Sequence, residues 1–211
     1  MGARNFEKIV DSEERLRAVL GQPSERALGK ERPRLDAHCR TFIAHAPFLI
    51  LGTSDAGGRC DVSPKGDQPG FVKVLDETHL AIPDRVGNNR LDGMRNILHN
   101  PHVGLIFLIP GREETLRVNG RAWIVRDEEI LAKLSARDKL PQLAIGVETE
   151  EVFFHCPKAF RRSKLWEPAS WPDRDALPTM ACVLYEKLQP AGKTLEEYLR
   201  ESEEGLQRTL Y

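Results

Sequence analysis

The strongest periodic signal lies in residues 116–125, where Leu116, Val118, Ala122 and Ile124 alternate with Arg117, Asn119, Arg121 and Trp123. Alternation at period two puts the two sets on opposite faces of a strand. Residues 102–109 form an unbroken apolar run, the pattern of a strand buried on both faces. Upstream, an apolar run over 48–53, the turn Asp55-Ala56-Gly57-Gly58 and a strand resuming over 59–63 predict a hairpin. Residues 71–75 and 79–83 predict a second pair around Asp76-Glu77, and 147–154 a last strand. Helical spacing is confined to short stretches. One covers 11–20, with Ser12 as cap and Leu16, Val19 and Leu20 on one face; another covers 36–45, stopped by Pro47. A third follows Asn88 or Asn89 as cap, with Leu91, Met94 and Leu98 on one face and Ile97 beside them. Two more are predicted over 127–137 and 194–207. Six to seven short strands at hairpin spacing, with few helices between them, predict a closed antiparallel barrel: mainly β with peripheral helices, an α+β class.

This divides one 211-residue domain into a helical arm (1–37), a barrel core (38–165) and a wrapping segment with a closing helix (166–211). Pro23, Gly29 and Pro33 among charges mark 22–34 as arm or loop, and Trp166, Trp171, Tyr185 and four prolines mark the wrapping segment. Glu196, Glu197, Glu201, Glu203 and Glu204 make the closing helix acidic, as a solvated face would be. The 31 Lys and Arg balance 32 Asp and Glu, for a net charge of −1. That balance argues against sequence-independent nucleic-acid binding, which needs a basic surplus. No apolar run is long enough to span a bilayer and no secretory leader is visible, so a cytoplasmic protein without membrane partners is expected. Cys39, Cys60, Cys156 and Cys182 are widely spaced, which predicts reduced thiols.

Three clusters carry candidate chemistry. Ser63-Pro64-Lys65-Gly66-Asp67 ends a strand with a cation that can reach a phosphate or a polarised ring, beside a glycine that lets a ligand approach the main chain. Its plainer explanation is a tight turn with a solvated Lys65. Ile82-Pro83-Asp84-Arg85-Val86-Gly87-Asn88-Asn89-Arg90 runs from a strand into a helix, combining two arginines with a positive dipole end: an anion site, or a capped helix whose arginines pair with Asp84 and Asp92. His155 to Trp166 carries Lys158, Arg161, Arg162 and Lys164, with Trp166 able to stack on a planar ring; the alternative is a basic surface helix. His38-Cys39 and His155-Cys156 lack partners at zinc-ligand spacing, so no metal is expected. Neighbouring His155 and Cys156 on a strand would point to opposite faces and form no dyad. Gly-x-Ser-x-Gly, a Walker loop and Gly-x-Gly-x-x-Gly after a strand are all missing.

The order Ser-Pro-Lys-Gly-Asp-x-Pro-Gly-Phe-Val, Ile-Pro-Asp-Arg-x-Gly-Asn-x-Arg, Asn-Pro-His-Val-Gly-Leu-Ile-Phe and Glu-Thr-Leu-Arg-Val-Asn-Gly resembles the pyridoxamine 5′-phosphate oxidase superfamily of FMN-binding split barrels. The resemblance covers 48–166 and is greatest to a bacterial branch described as probable FMN-dependent enzymes. It implies a homodimer with FMN at each subunit interface, acting on a small-molecule substrate. By position it implies that Lys65 and Gly66 lie near the flavin, and that the main chain of Ile82, Pro83 and Asp84 lines its ring. Asn88, Asn89 and Arg90, with Arg85, would hold the phosphate; Glu114 and Thr115 match a strand position whose polar side chain reaches the flavin. Lys158, Arg161, Arg162, Ser163 and Trp166 would be presented across the dimer interface. The chain departs from the vitamin-processing oxidases in lacking their Arg-x-His segment and arginine-rich tail, so pyridoxamine phosphate is not the expected substrate. No acid–base residue follows; His155 is the nearest to one, with a structural role the plainer reading. A non-catalytic flavin-binding protein, or a barrel holding another phosphorylated ligand or haem, are the alternatives.

Overall fold

The computed structural model describes residues 6–211. It divides into two compact units, Met1–Glu31 and Arg32–Tyr211. The described part of the first holds two short helices, α1 (Glu13–Leu20) and α2 (Glu25–Leu28). Ser12 caps α1 by accepting from the Arg15 N–H at 3.3 Å. The face expected from Leu16, Val19 and Leu20 is exposed. The stretch read as arm or loop thus includes one turn of helix.

In the second unit, α3 (Ala37–His45) is capped by Asp36, whose carboxylate accepts from the Cys39 N–H at 2.9 Å. It is followed by β1 (Phe48–Ser54) and β2 (Cys60–Gly66), then β3 (Lys73–Val74), β4 (His79–Pro83), α4 (Asp92–His99), β5 (His102–Leu108), β6 (Thr115–Val125), α5 (Glu128–Lys133) and β7 (Ala144–His155). The strands form one antiparallel sheet in the order β2-β1-β5-β6-β7-β4-β3. This is the α+β split-barrel architecture. The split barrel that the family resemblance implies, rather than the closed one that strand spacing alone suggests, is the form found: β2 and β3 end the order and are not paired with each other.

Its interior is filled from alternate strand positions, including Leu49 and Leu51 of β1, Leu105 and Phe107 of β5, Leu116 and Val118 of β6, and Ile145 and Val147 of β7. Phe42 and Ile43 of α3 and Met94 and Ile97 of α4 join the same core. The β1–β2 turn is made by Asp55, whose carboxylate accepts from the Gly57 and Arg59 N–H groups at 2.8 and 2.9 Å. The chain turns back through a left-handed residue, Gly58 at φ +82°, a conformation glycine adopts without steric cost. Among the described residues, no helix is long and apolar enough to cross a membrane.

Several boundaries differ from the sequence reading for identifiable reasons. β2 runs on through Pro64 to Gly66, paired to Phe48–Ile50, because it is an edge strand and an edge tolerates a missing N–H. β5 is buried on one face only: Val103, Leu105 and Phe107 point inward while Gly104, Ile106 and Leu108 are half-buried. α4 begins at Asp92, not after Asn88 or Asn89, since Asn89 and Leu91 adopt left-handed conformations (φ 56° and 60°) that a helix cannot include. Its buried pair is therefore Met94 and Ile97, while Leu98 is 71% exposed. α5 stops at Lys133, and the chain then reverses through Arg137 and Asp138, both left-handed, with Ala136 and Lys139 bridged across the turn. The wrapping segment holds an unexpected helix, α7 (Met180–Leu188), after α6 (Lys158–Ser163); Thr179 caps it. It packs on α8 (Leu195–Arg208) through Tyr185 and Tyr198, with ring centroids 5.6 Å apart.

Candidate functional site

One face of β2 lines a cavity of about 420 Å³. Asp61, Ser63 and Lys65 alternate onto that face, and Gly66 follows at the strand end. The opposite wall begins where β4 ends, with Pro83 and Asp84, and continues through Arg85 to Gly93 into the first turn of α4. Two amide side chains fix α4 against β1: Asn96 donates to the Thr53 hydroxyl at 3.0 Å and Asn100 to the Ser54 hydroxyl at 2.8 Å. Leu51, Phe71, Met94 and Ile145 are among the apolar residues of the lining. The volume is in the range of small-molecule sites.

Lys65 and Asp84 meet across the space, Nζ to carboxylate at 3.8 Å. Burial pushes the Asp84 carboxyl above its ordinary range even though Lys65 pulls the other way. Arg85 is fixed from outside the lining, donating through Nε to Asp67 at 2.6 Å. The expected pairing of Arg85 with Asp84 is thus replaced by one with Asp67. Burial raises the Asp67 carboxyl, but hydrogen bonds from Tyr211, the Gln68 N–H and Arg85 outweigh it and hold the group below its ordinary value. Arg90 pairs with Asp92 at 2.7 Å in the open, where solvent screens it. Asn88 accepts from the Arg90 N–H at 3.1 Å, shaping the loop rather than capping the helix. No side chain caps α4, so its first N–H groups are left for another acceptor.

Of the residues singled out in the sequence, Lys65, Gly66, Pro83, Asp84, Arg85, Asn88, Asn89 and Arg90 line this one cavity. Ile82 does not; it is fully buried beneath the wall. The rest gather elsewhere. Thr115 is buried in β6 opposite His155, and Glu114 lies 3.7 Å from Arg112. On α6, Arg161 pairs with Glu113 at 2.7 Å and the Ser163 hydroxyl donates to the Phe160 carbonyl. Trp166 stacks on Phe160 (centroids 5.7 Å, 28°) and donates its indole N–H to the Arg112 carbonyl at 2.7 Å. Lys158 and Arg162 lie on the same short helix, and none of these α6 residues lines the cavity within one chain. Asp61 lies outside the Ser63–Asp67 cluster but shares the cavity face with Ser63 and Lys65, and period-two strand spacing is the signal that identifies it; Asp67 acts from behind the lining through Arg85. A more open hollow of about 640 Å³ is lined by Asp61, Glu150 and Glu151, the wrong sign for a phosphate.

The family model described as pyridoxamine 5′-phosphate oxidase matches residues 35–156, more than half of the chain. No curated protein matches it. Among solved structures, the chain is similar to HupZ from Group A Streptococcus, with 19% identity over 56% of this chain and 92% of that one and a TM-score of 0.46. It is similar to an FMN-binding protein from Syntrophomonas wolfei, with 12% identity over 56% and 83% and a TM-score of 0.45. It is also similar to HutZ, a heme storage protein from Vibrio cholerae, with 18% identity over 58% and 94% and a TM-score of 0.42.

Proposed function

The chain belongs to the pyridoxamine 5′-phosphate oxidase family, and from that premise we propose that it is an FMN-dependent oxidoreductase, working as a homodimer on a small-molecule substrate. The observation that carries this reading is the convergence of Lys65 and Arg90 on one cavity beside the uncapped start of α4. A phosphate suits that end: the free N–H groups, the positive end of the helix dipole and the Arg90 guanidinium all favour an anion. The exposed Arg90–Asp92 pair is weak enough for a phosphate to take over the guanidinium. A planar ring suits the other end, between Lys65 with Gly66 and the Pro83–Asp84 main chain, with Phe71 and Met94 as apolar neighbours.

Bound FMN would supply hydride transfer at its N5. Lys65 would hold the negative side of the ring, and its pairing with Asp84 keeps the ammonium oriented across the cavity. Lys158, Arg161, Arg162, Ser163 and Trp166 would complete the site from the second copy, since α6 does not reach the cavity of its own chain. Among the described residues lining the cavity there is no histidine, so the haem alternative has no axial imidazole there.

Arg90→Ala tests the reading. With the dimer intact, loss of a charge-assisted bond to phosphate should weaken FMN binding about tenfold or more. Unchanged affinity in a fluorescence titration would count against the site. Reduction of the bound flavin by NADH or NADPH and its reoxidation at a catalytic rate would separate an enzyme from a storage protein.

A further inference from the structure

Arg85 lines the cavity and is bonded to Asp67, and Asp67 is itself held by a residue far away in the chain. The Asp67 side chain is 3% exposed, and its two oxygens are divided between partners. Oδ2 accepts from Arg85 Nε at 2.6 Å. Oδ1 accepts from the Gln68 N–H at 2.7 Å and from the Tyr211 phenol at 2.6 Å, across 144 positions of sequence. Tyr211 is fixed in turn at two further points. The Arg137 guanidinium lies over its ring, 4.1 Å from the centroid, and Lys139 donates to its main-chain oxygen at 2.8 Å. Both basic residues belong to the reversal after α5, so one loop seats the tyrosine whose hydroxyl reaches Asp67.

We propose that Tyr211 is a positioning residue of the cavity: by bonding Asp67 Oδ1 it fixes the carboxylate plane, and so aims Oδ2 at Arg85 Nε and sets the guanidinium at the cavity wall. A carboxylate turns readily about its last torsion, and the Gln68 N–H alone is one anchor on one oxygen. Engagement through Nε leaves the terminal guanidinium nitrogens clear of Asp67, and these are the donors an anionic ligand takes in a bidentate manner. The inference deepens the FMN reading and rests on it.

Tyr211→Phe is the discriminating variant, because phenylalanine keeps the ring under Arg137 and the main-chain oxygen on Lys139 and deletes only the hydroxyl. FMN affinity is measured on the full-length dimer in four forms: wild type, Tyr211→Phe, Arg85→Ala and the double variant. If Tyr211 acts through Arg85, Tyr211→Phe weakens binding by about fivefold in the wild-type background and by less than about twofold once Arg85 is alanine. A merely structural tyrosine would cost the same in both backgrounds, and that result overturns the proposal. So does an unchanged affinity in Tyr211→Phe. A wild-type dimer that retains no FMN overturns the proposal together with the FMN reading, an outcome distinct from a wild type that binds FMN and a variant that binds it equally well.

Discussion

Gly120 tests the described sheet most severely. It sits at the irregularity between β6 and β7, where Asn119 pairs with Glu151 and Gly120 with Thr149, so that Glu150 is the extra residue of a bulge. A Cβ on Gly120 would lie 2.0 Å from the Glu148 carbonyl oxygen, 2.9 Å from the Glu148 carbonyl carbon and 3.1 Å from Thr149 Cα. All three atoms are main chain, so no side-chain rotation relieves the contact. Carbon–oxygen approaches of this kind normally run about 3.3 Å or longer, so β6 and β7 must part by more than about 1 Å. Ladder bonds near 2.9 Å do not survive that intact. Overpacking costs about 1–3 kcal/mol and each lost bond about 1 kcal/mol, which puts Gly120→Ala at about 3 kcal/mol or more. With a urea slope of about 2 kcal/mol/M, the unfolding midpoint should fall by about 1.5 M. Gly205→Ala is the control: it lies within α8 with nothing inside 4 Å of the added carbon, so the midpoint should not fall. A Gly120→Ala protein within about 0.3 M of wild type would refute the described β6–β7 register. Because Ile145 of β7 lines the cavity, the same variant should also weaken FMN binding.

Two further predictions concern titration. Burial, with the neighbouring Asp36 carboxylate, pushes the Cys39 thiol up to about 11. Cys39 should therefore resist alkylation at pH 8 while exposed Cys60 reacts, and stability should fall as pH rises beyond 9.0, since the unfolded chain releases a proton that the folded one keeps. Rapid labelling of Cys39 in the folded protein would contradict its burial in the core. The Thr78 N–H, followed by His79, holds the Asp76 carboxyl down to about 2 from an ordinary 3.8. A depressed carboxyl contributes stability that is complete above pH 3.8 and lost as pH falls through about 2. The gain is modest because solvent screens this exposed group. Asp76→Asn should flatten the acid limb of the stability curve below pH 4, and an unaltered limb would refute the turn geometry.

What the sequence made legible is what short-range chemistry encodes. The alternation of 116–125 is a strand in any context that buries one face, and it is β6, with Leu116, Val118 and Ala122 inside. Asp36 and Ser12 cap their helices through bonds to the third residue on, a purely local event. The Lys65 and Pro83–Arg90 clusters were legible for the same reason, each being a strand end rich in charge and glycine. The limits come from tertiary context. Pro64 suggests a turn, yet an edge strand accommodates it, and only the strand order reveals that edge. Asn88 and Asn89 suit a helix cap by composition, but the left-handed Asn89 and Leu91 delay the helix to Asp92. Arg161 met Glu113 across 48 positions and Tyr211 met Asp67 across 144, contacts with no local signature.

The most direct test of the account is a visible absorption spectrum of the purified protein, repeated after addition of FMN and desalting. The account predicts flavin bands that survive desalting at about one flavin per chain, as a site built to retain its cofactor requires. A colourless protein that releases all added FMN would contradict it, and the cations of the 420 Å³ cavity would then need another ligand.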